Sequence, residues 1–309
     1  MSSTIPVNGA RLPGNFRQSR AMGEVSERFW AKLPDGSRDA LVNGLSQSEL
    51  QSVLLDVTRE RAAKVKPARL LERWKQDRFV RPSTVDPREL VKTQQRLWEL
   101  LPEKFAGVQL SPLAPLGTCS AVAPINQHQI VSTIRGTEVA SDPTNELAIE
   151  AAVRRRAGQD RVHLAACQRV VRAQPFDTPG FSAHFELFVL VSSARDTGSC
   201  RTEAELLIDH LGFWHAVLGD KAGLTFTAFK ESALRDRIED TVRPALGVPF
   251  TEDTERTKSA TYYAGTGLGI GNGIGDGGFT TWTADLLGDA KERCLTSCIA
   301  TEFLTASEA

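Results

Sequence analysis

His184 and Glu186 are the side chains whose types and spacing most directly suggest chemistry. They stand two apart in the run 180–191, which has the pattern of a β-strand, so both point to one face of it while Phe185 and Leu187 point to the other. An imidazole beside a carboxylate can act as an acid/base pair or orient a substrate. The alternative is a surface pair, or one that only supports the site from outside.

Glycines dominate a second stretch. Between Gly265 and Gly278, 8 of the 14 residues are glycine, and most of them alternate with one other residue. This pattern indicates close backbone approach to a ligand or to a neighbouring strand, and we favour a strand in the floor of a site with a mobile loop. A phosphate-binding loop is the alternative, but the lysine and Ser/Thr that normally end such a loop are missing.

A third stretch, between Arg59 and Arg81, is basic: it contains 9 Lys or Arg residues but only 3 Asp or Glu residues, with apolar residues between them. It could bind phosphates, in which case binding to RNA would weaken steeply with salt. We favour a helix that faces water and packs its apolar stripe on the main domain, because isolated charge runs usually do no more than that.

Hydrophobic periodicity predicts the elements that position these residues. Residues 1–20 are expected to be a flexible lead-in, 21–85 a helical extension and 86–309 the main α+β domain with a mainly antiparallel sheet. Asp142-Pro143-Thr144 is a good start for a helix. Further helices are predicted at Pro87–Leu101, Asn145–Arg155, Thr202–Leu218 and Ser232–Arg243, and strands at Gly107–Leu110, Gln129–Ile134, His163–Val171, Phe185–Val191, Thr225–Phe229 and Ser259–Tyr263.

Composition narrows the class of protein. The 309 residues are 41% hydrophobic, and the net charge of −1 gives no global attraction to nucleic acid or to an anionic membrane. The five cysteines suggest neither a disulfide framework nor a zinc site, and no apolar stretch is long enough to span a bilayer. We predict a cytoplasmic protein without a metal.

Four segments, in order, resemble the catalytic core of class II aminoacyl-tRNA synthetases, and most of all histidyl-tRNA synthetase and the regulatory subunit of ATP phosphoribosyltransferase. The helix from Pro87 with VQLSPLAPL resembles motif 1, SDPTNELAIEAAVRR the turn and helix at the amino-acid site, and CQRVVRAQPFDTPGFSAHFELFVLV motif 2. KSATYYAGTGLGIG resembles the histidyl signature. The resemblance covers roughly the last 220 residues and implies the same antiparallel sheet flanked by helices.

The resemblance also implies roles for single residues. An acid and a threonine would hold the α-amino group of a substrate, which is reasonable because charge-assisted hydrogen bonds are the stronger ones. An arginine would bind its carboxylate and a phosphate. The predicted substrate-binding residues are Asp142, Thr144, Arg172, Gln174, Tyr262 and Tyr263, and the predicted catalytic residues are His184, Glu186 and Lys258. Of these, His184 and Glu186 come from strand alternation, which we favour for turning them towards the ligand, whereas matching the phenylalanine of HFEL to that of the family's motif 2 strand implies the opposite face.

Several departures from the family pattern fall on the ATP side. Gln174 replaces the motif 2 glutamate, Lys258 the signature arginine and Phe303 the motif 3 arginine, and the second motif 2 arginine is absent. Lysine and phenylalanine cannot offer the two-pronged contact of arginine, and losing one such donor costs about 3 kcal/mol of transition-state stabilisation. We therefore expect no use of ATP and Mg²⁺ in the usual mode.

The resulting prediction is a repurposed enzyme that binds an amino acid or a related small polar molecule and does not perform normal tRNA aminoacylation. The alternative is a non-catalytic subunit that senses an amino acid and acts through a partner protein. A homodimer is expected, since motif 1 forms the dimer interface in this family. Nucleic acid and membranes are not expected partners.

Overall fold

The computed structural model describes residues 25–174, 182–219, 222–230, 233–257 and 259–308. Its strands are β1 (Ala106–Gly107), β2 (Leu113–Pro115), β3 (Thr137–Val139), β4 (Arg161–Val171), β5 (His184–Arg195), β6 (Leu224–Ala228), β7 (Phe250–Glu252), β8 (Thr266–Ile270), β9 (Gly275–Thr280) and β10 (Glu292–Ala300).

The helices are α1 (Gln47–Ala63), α2 (Pro67–Gln76), α3 (Pro87–Leu100), α4 (Thr118–Val122), α5 (Pro143–Arg156), α6 (Arg201–Leu218), α7 (Leu234–Arg237), α8 (Arg243–Leu246), α9 (Trp282–Leu287) and α10 (Thr301–Glu308). A helix at 25–30, a short turn at Ser37–Asp39 and a π-helical turn at Ala40–Gly44 precede α1, and a second π-helical turn, Ile238–Val242, joins α7 to α8. Single 3₁₀ turns lie at Gln127–Gln129 and Gly271–Gly273.

Eight strands form one sheet in the order β1-β4-β5-β10-β9-β8-β6-β7, and β2 pairs with β3 separately. The six central strands run antiparallel to their neighbours, whereas the edge strands β1 and β7 pair in parallel with β4 and β6. The predicted α+β class with a mainly antiparallel sheet flanked by helices is therefore confirmed.

Alternation along the strands gives the sheet two different faces. One face carries Phe188 and Leu190 of β5 and packs against α3 and α6. The other carries Leu187 and Val189 of the same strand and packs against α5 and α9. We call the second face the α5 face. Helices therefore cover both sides of β4, β5 and β10.

Some element predictions were wrong. Ser259–Tyr263 is a pair of turns, in which the amides of Tyr262 and Tyr263 both bond to the Ser259 carbonyl oxygen at 2.9 and 3.0 Å. The run 129–134 holds only one isolated bridge, Ser132 to Glu138, and no strand. The predicted lead-in 1–20 lies outside the described residues.

The helical extension at the amino end is present, as expected, but it is not packed as expected. No residue from 25 to 80 is buried. The apolar stripe of α2 stays exposed, with Leu70 at 55%, Leu71 at 57% and Trp74 at 54% exposure. The expectation that the stripe of the basic stretch packs on the main domain is therefore wrong. No helix among the described residues is long and apolar enough to cross a membrane.

Candidate functional site

Asp142 caps the amino end of α5 and keeps one oxygen for other contacts. Its Oδ1 accepts hydrogen bonds from the Thr144 amide at 3.1 Å and from Thr144 Oγ1 at 2.7 Å. A short side chain in extended backbone before Pro143 forms this cap readily. Capping thus uses Oδ1 alone, so the cap and the ligand role predicted for Asp142 are compatible.

Arg172 and Tyr262 converge on the second oxygen of Asp142. The Tyr262 hydroxyl donates to Asp142 Oδ2 at 3.3 Å, and Arg172 Nη2 lies 3.9 Å from the same atom. Arg172 Nε donates to the Ser141 carbonyl oxygen at 3.0 Å, and its guanidinium lies 5.0 Å from the centre of the Phe185 ring. Residues from three distant segments of the chain therefore meet at one point.

Aromatic packing fixes the two tyrosines beside Asp142. The Tyr262 ring meets Trp282 edge-on at 5.4 Å and Tyr263 edge-on at 5.0 Å. Burial raises the pKa of both hydroxyl groups well above the ordinary value, and the Asp142 carboxylate raises that of Tyr262 further. Both tyrosines therefore keep their protons at neutral pH, and Tyr262 acts as a donor.

The glycine-rich run forms the strand pair β8 and β9, so the predicted strand is present. On the α5 face, a side chain at Gly267 would collide with the Phe229 ring at 2.9 Å, and one at Gly278 with the Tyr263 ring at 2.6 Å. Glycine is thus needed here because aromatic rings lie directly on the sheet. The run is two paired strands joined by the short turn Gly271–Gly273, so the alternative of a phosphate-binding loop is not supported.

Arg256 and Asp276 form a second polar group on the same floor, and the sequence interpretation missed both. Arg256 Nη2 donates to Asp276 Oδ1 at 2.7 Å, and Nη1 donates to the Leu268 carbonyl oxygen at 2.7 Å. The guanidinium also lies 5.9 Å from the centre of the Tyr263 ring. Burial raises the pKa of Asp276 although 45% of its side chain is exposed, a combination expected at the bottom of an open concavity.

Polar atoms without partners lie next to the Asp142 cluster. Among the described residues, the side chain of the fully buried Asn145 makes no hydrogen bond of ordinary length and angle, although it lies near enough to the Tyr262 hydroxyl to act against the rise of its pKa. Glu146 Oε1 has no hydrogen-bond partner there either. Burial, and then the charges of Asp142 and Glu138, raise the pKa of Glu146 to about 8. An unpaired buried polar group is costly, so these atoms would gain from a polar ligand.

His184 and Glu186 share a face, as predicted, but it is the opposite face to that of Asp142 and Arg172. Glu186 accepts two hydrogen bonds from Gln94 Nε2 of α3, at 2.7 and 2.9 Å. His184 Nε2 lies 2.6 Å from the Arg81 carbonyl oxygen. The pair therefore does not face the Asp142 cluster, because alternation shows which residues share a face but not which face that is.

The predicted ATP side can be examined at three residues. Phe303 lies on α10 and is 36% exposed. Arg293, an arginine that could have replaced the motif 3 residue, is on the far face and binds Glu203 at 2.7 Å and Asp196 at 2.8 Å. The Gln174 carbonyl oxygen accepts a bond from Arg78. Lys258 lies outside the described residues.

Metal and thiol chemistry find little support in the geometry. Within the described ranges, no three His, Cys, Asp or Glu side chains are grouped as metal ligands. All five cysteines are free thiols. Burial, with Asp142 and Asp276 nearby, raises the pKa of Cys298 far above its ordinary value, so this thiol is a poor nucleophile.

A cavity of about 430 Å³ lies elsewhere, beside β6 and β7, and its lining includes His215, Thr225, Thr251 and Asn272. It contains none of the residues described above. We take the Asp142 cluster as the candidate site, because opposite charges, buried tyrosines that keep their protons and buried polar atoms without an ordinary hydrogen bond come together there.

Comparison with known proteins gives the fold a name. No model of a known protein family and no curated protein matches the chain. Among solved structures, the "ATP phosphoribosyltransferase regulatory subunit/histidyl-tRNA synthetase" of Bacillus halodurans is similar, with a TM-score of 0.57 and 11% identity over 73% of this chain and 81% of that one.

Two further structures agree with it. A histidine–tRNA ligase subunit from Alicyclobacillus acidocaldarius has a TM-score of 0.55 and 14% identity over 74% of this chain and 97% of its own. Histidyl-tRNA synthetase from S. aureus has a TM-score of 0.52 and 14% identity over 71% of this chain and 64% of its own. At such low identity the likeness concerns the fold alone, and this chain has the class II synthetase-like fold of histidyl-tRNA synthetase and of that regulatory subunit.

Proposed function

We propose that this protein binds an α-amino acid, or a related small molecule with both an ammonium and a carboxylate, at the Asp142 cluster. One observation carries the proposal: Asp142 Oδ2 and Arg172 Nη2 lie 3.9 Å apart, close but not in a tight ion pair, with the Tyr262 hydroxyl 3.3 Å from the same oxygen. Because the two opposite charges are only loosely paired with each other, they can each bind the opposite charge of a zwitterionic ligand.

Each charged end of such a ligand has a partner of the right type. An ammonium beside Asp142 Oδ2 gains a charge-assisted hydrogen bond, which is roughly twice as strong as a neutral one. Arg172 is held by the Ser141 carbonyl and the Phe185 ring, so its Nη edge turns towards Asp142, where it can bind a carboxylate. Both charged side chains are only partly exposed, 27% for Arg172 and 16% for Asp142, which strengthens their contacts.

We infer a repurposed enzyme whose chemistry differs from ATP-driven tRNA aminoacylation. Phe303 supports this inference, because phenylalanine cannot neutralise the charge that develops on the phosphates of ATP. The second candidate is a regulatory subunit that binds an amino acid and acts through a partner protein. It is favoured by the likeness to a solved structure whose name includes an ATP phosphoribosyltransferase regulatory subunit, and the same binding site would serve it.

A thermal-shift and calorimetry panel tests the binding proposal. The twenty amino acids are compared with matched amines that lack the carboxylate and matched acids that lack the ammonium. We expect at least one amino acid to bind, and removal of either charged end to weaken binding about tenfold or more. Asp142→Asn should weaken the amino acid and leave the acid analogue unaffected. Equal binding of an amino acid and its amine would contradict the proposal.

Turnover separates the two candidate functions. The bound amino acid is incubated with the protein, with and without ATP, and products are followed by mass spectrometry. A new product supports the enzyme, whereas binding without any product supports the regulatory subunit. Release of pyrophosphate from ATP would contradict the inference drawn from Phe303.

We also propose a homodimer built along α3 and β2. Val91 on α3 is 59% exposed, and Leu113 on β2 is 43% exposed, which is unusual for side chains beside a large core. Light scattering should give twice the monomer mass, and Val91→Asp should shift the protein towards the monomer. A monomeric wild type would contradict this proposal.

A further inference from the structure

The amino-terminal extension has no core of its own but makes specific contacts with the main domain. None of its residues from 25 to 80 is buried, and neither α1 nor α2 contains a buried residue. A helix of 10 residues such as α2 is marginal in water unless something holds it. Partial burial resumes at residues 77–79, just where the chain turns to the sheet.

Arg78 makes the central contact. Its Nη1 donates to the Gln174 carbonyl oxygen at 2.8 Å, and its Nη2 donates to the Ala173 carbonyl oxygen. Three residues later, the Arg81 carbonyl oxygen lies 2.6 Å from His184 Nε2. The stretch 78–81 therefore binds the end of β4 and the start of β5 at the same time.

This contact lies where the pairing of the two strands ends. The ladder between β4 and β5 stops at Val171 opposite His184, and the Arg172 amide still donates to the Ala183 carbonyl oxygen at 2.8 Å. The next two carbonyl groups, of Ala173 and Gln174, are bound by the Arg78 fork. Arg78 thus holds the chain directly after Arg172, where the Ala173 amide also donates to the Gln129 carbonyl oxygen at 3.0 Å.

We propose that Arg78 is a positioning residue for Arg172, through which the amino-terminal extension sets the geometry of the carboxylate-binding site. The inference rests on the proposed function for its ligand. Backbone carbonyls one and two residues beyond Arg172 hold the direction in which its side chain leaves the strand. A shift of about 1 Å at such a point is enough to cost a large factor in binding or activity.

Arginine suits this role better than lysine does. A planar guanidinium binds two adjacent acceptors at once, whereas an ammonium on a flexible stem binds as a point charge. We therefore expect Arg78→Lys to position Arg172 in part and Arg78→Gln to lose this positioning. Arg69→Ala is the matched control, because Arg69 is an exposed arginine of the same extension, on α2.

Hydrogen exchange of the full-length protein, followed by mass spectrometry, tests the clamp without any ligand. Peptides covering 167–174 and 182–190 should exchange at least about tenfold faster in Arg78→Gln at their shared end, with Arg78→Lys in between and Arg69→Ala unchanged. Unchanged exchange in Arg78→Gln would overturn the proposal. The centre of β5 serves as an internal reference for correct folding.

Titration with L-histidine and its amine, histamine, tests the positioning role. We expect Arg78→Gln to weaken histidine about tenfold and to leave histamine nearly unaffected, because only the carboxylate meets Arg172. Faster exchange with unchanged histidine affinity would overturn the positioning role and leave a purely structural clamp. If the wild type binds neither compound, the titration uses the tightest-binding amino acid of the panel and its matched amine. Failure of all twenty amino acids would contradict the proposed function, and the exchange comparison would then decide the clamp.

Discussion

The ring of Tyr263 lies directly on Gly278 of β9, so close that a methyl group at Gly278 would stand 2.6 Å from two ring carbons. The same methyl group would lie 2.6 Å from the Thr266 carbonyl oxygen, which cannot move without disturbing β8. This glycine therefore allows Tyr263 to pack against Tyr262 and so supports the Asp142 cluster.

Replacing Gly278 by alanine should lower the free energy of unfolding by about 1–3 kcal/mol and weaken amino-acid binding, since Tyr263 would be displaced. Urea unfolding with calorimetry measures both effects. Gly212→Ala in α6 is the control: nothing lies within 4 Å of its added methyl group, so we expect a neutral or slightly stabilising change. Equal effects of the two substitutions would contradict the packing described here.

A buried chain of hydrogen bonds makes stability depend on pH. His163 Nδ1 lies 2.7 Å from Ser192 Oγ, which lies 2.8 Å from His210 Nε2. Burial lowers the pKa of His163 from 6.5 to about 4. The unfolded chain therefore binds more protons between these values, and stability is lost as the pH falls from 6.5 to about 4.

The His163 contribution amounts to about 3 kcal/mol at the acid end of that range. We expect His163→Asn to be less stable than the wild type at neutral pH but to show a flatter decline under acid. Guanidinium unfolding at several pH values gives the two profiles. Profiles that run parallel would show that His163 does not carry the dependence.

The sequence predicted the charged centre of the site better than it predicted the side chains around it. Tyr262 and Asp142 stand 120 positions apart, so no local pattern joins them, and only the family resemblance brought them together. Their contact in the structure agrees with it. The fold class was predictable from the same family resemblance and from the alternation of apolar residues along β4 and β5.

Two parts of the site could not be derived from the sequence, for physical reasons. Alternation is symmetric, so it placed His184 beside Glu186 but could not tell which face α5 covers. Arg256 and Lys258 lie two residues apart in a region of turns. Such a region has no periodic pattern, so the sequence does not indicate which of the two basic side chains points to the site. Its partner Asp276 is the single acidic residue of the glycine run, whose pattern indicates close backbone approach but assigns no role to a side chain.

Glu146 gives a pH dependence of the opposite sign. Its pKa is raised from 4.5 to about 8, so the folded protein binds more protons than the unfolded chain, and stability falls as the pH rises through this range. Glu146→Gln should therefore stabilise the protein above pH 8 by on the order of 3 kcal/mol, less than the full shift because the side chain keeps some solvent.

Thermal unfolding at several pH values measures the effect of Glu146→Gln. We expect a large gain in melting temperature in the alkaline range and little gain near pH 5, where the wild-type carboxyl is already protonated. A gain that does not vary with pH would mean that the amide helps by packing, and that the raised pKa is not the cause.

Arg155 and Glu292 hold the far end of α5 on β10. Arg155 Nη2 and Nε bind the two carboxylate oxygens at 2.6 and 2.9 Å, and the side chains are only 11% and 4% exposed. Removing one partner leaves a buried charge unpaired, so Arg155→Met should cost about 3–5 kcal/mol. Since α5 carries Asp142 at its other end, amino-acid binding should weaken as well.

A double variant shows how much of the stability lost in Arg155→Met comes from the charge of Glu292 that is left without a partner. Arg155→Met combined with Glu292→Leu should recover much of the stability, because two apolar side chains of similar volume need no partner. Lys92→Ala, which breaks the exposed pair of Lys92 with Glu89, should cost less than about 1 kcal/mol. If the double variant is as unstable as Arg155→Met alone, packing of the arginine stem matters more than its charge, and α5 is held mainly by its apolar contacts with the sheet.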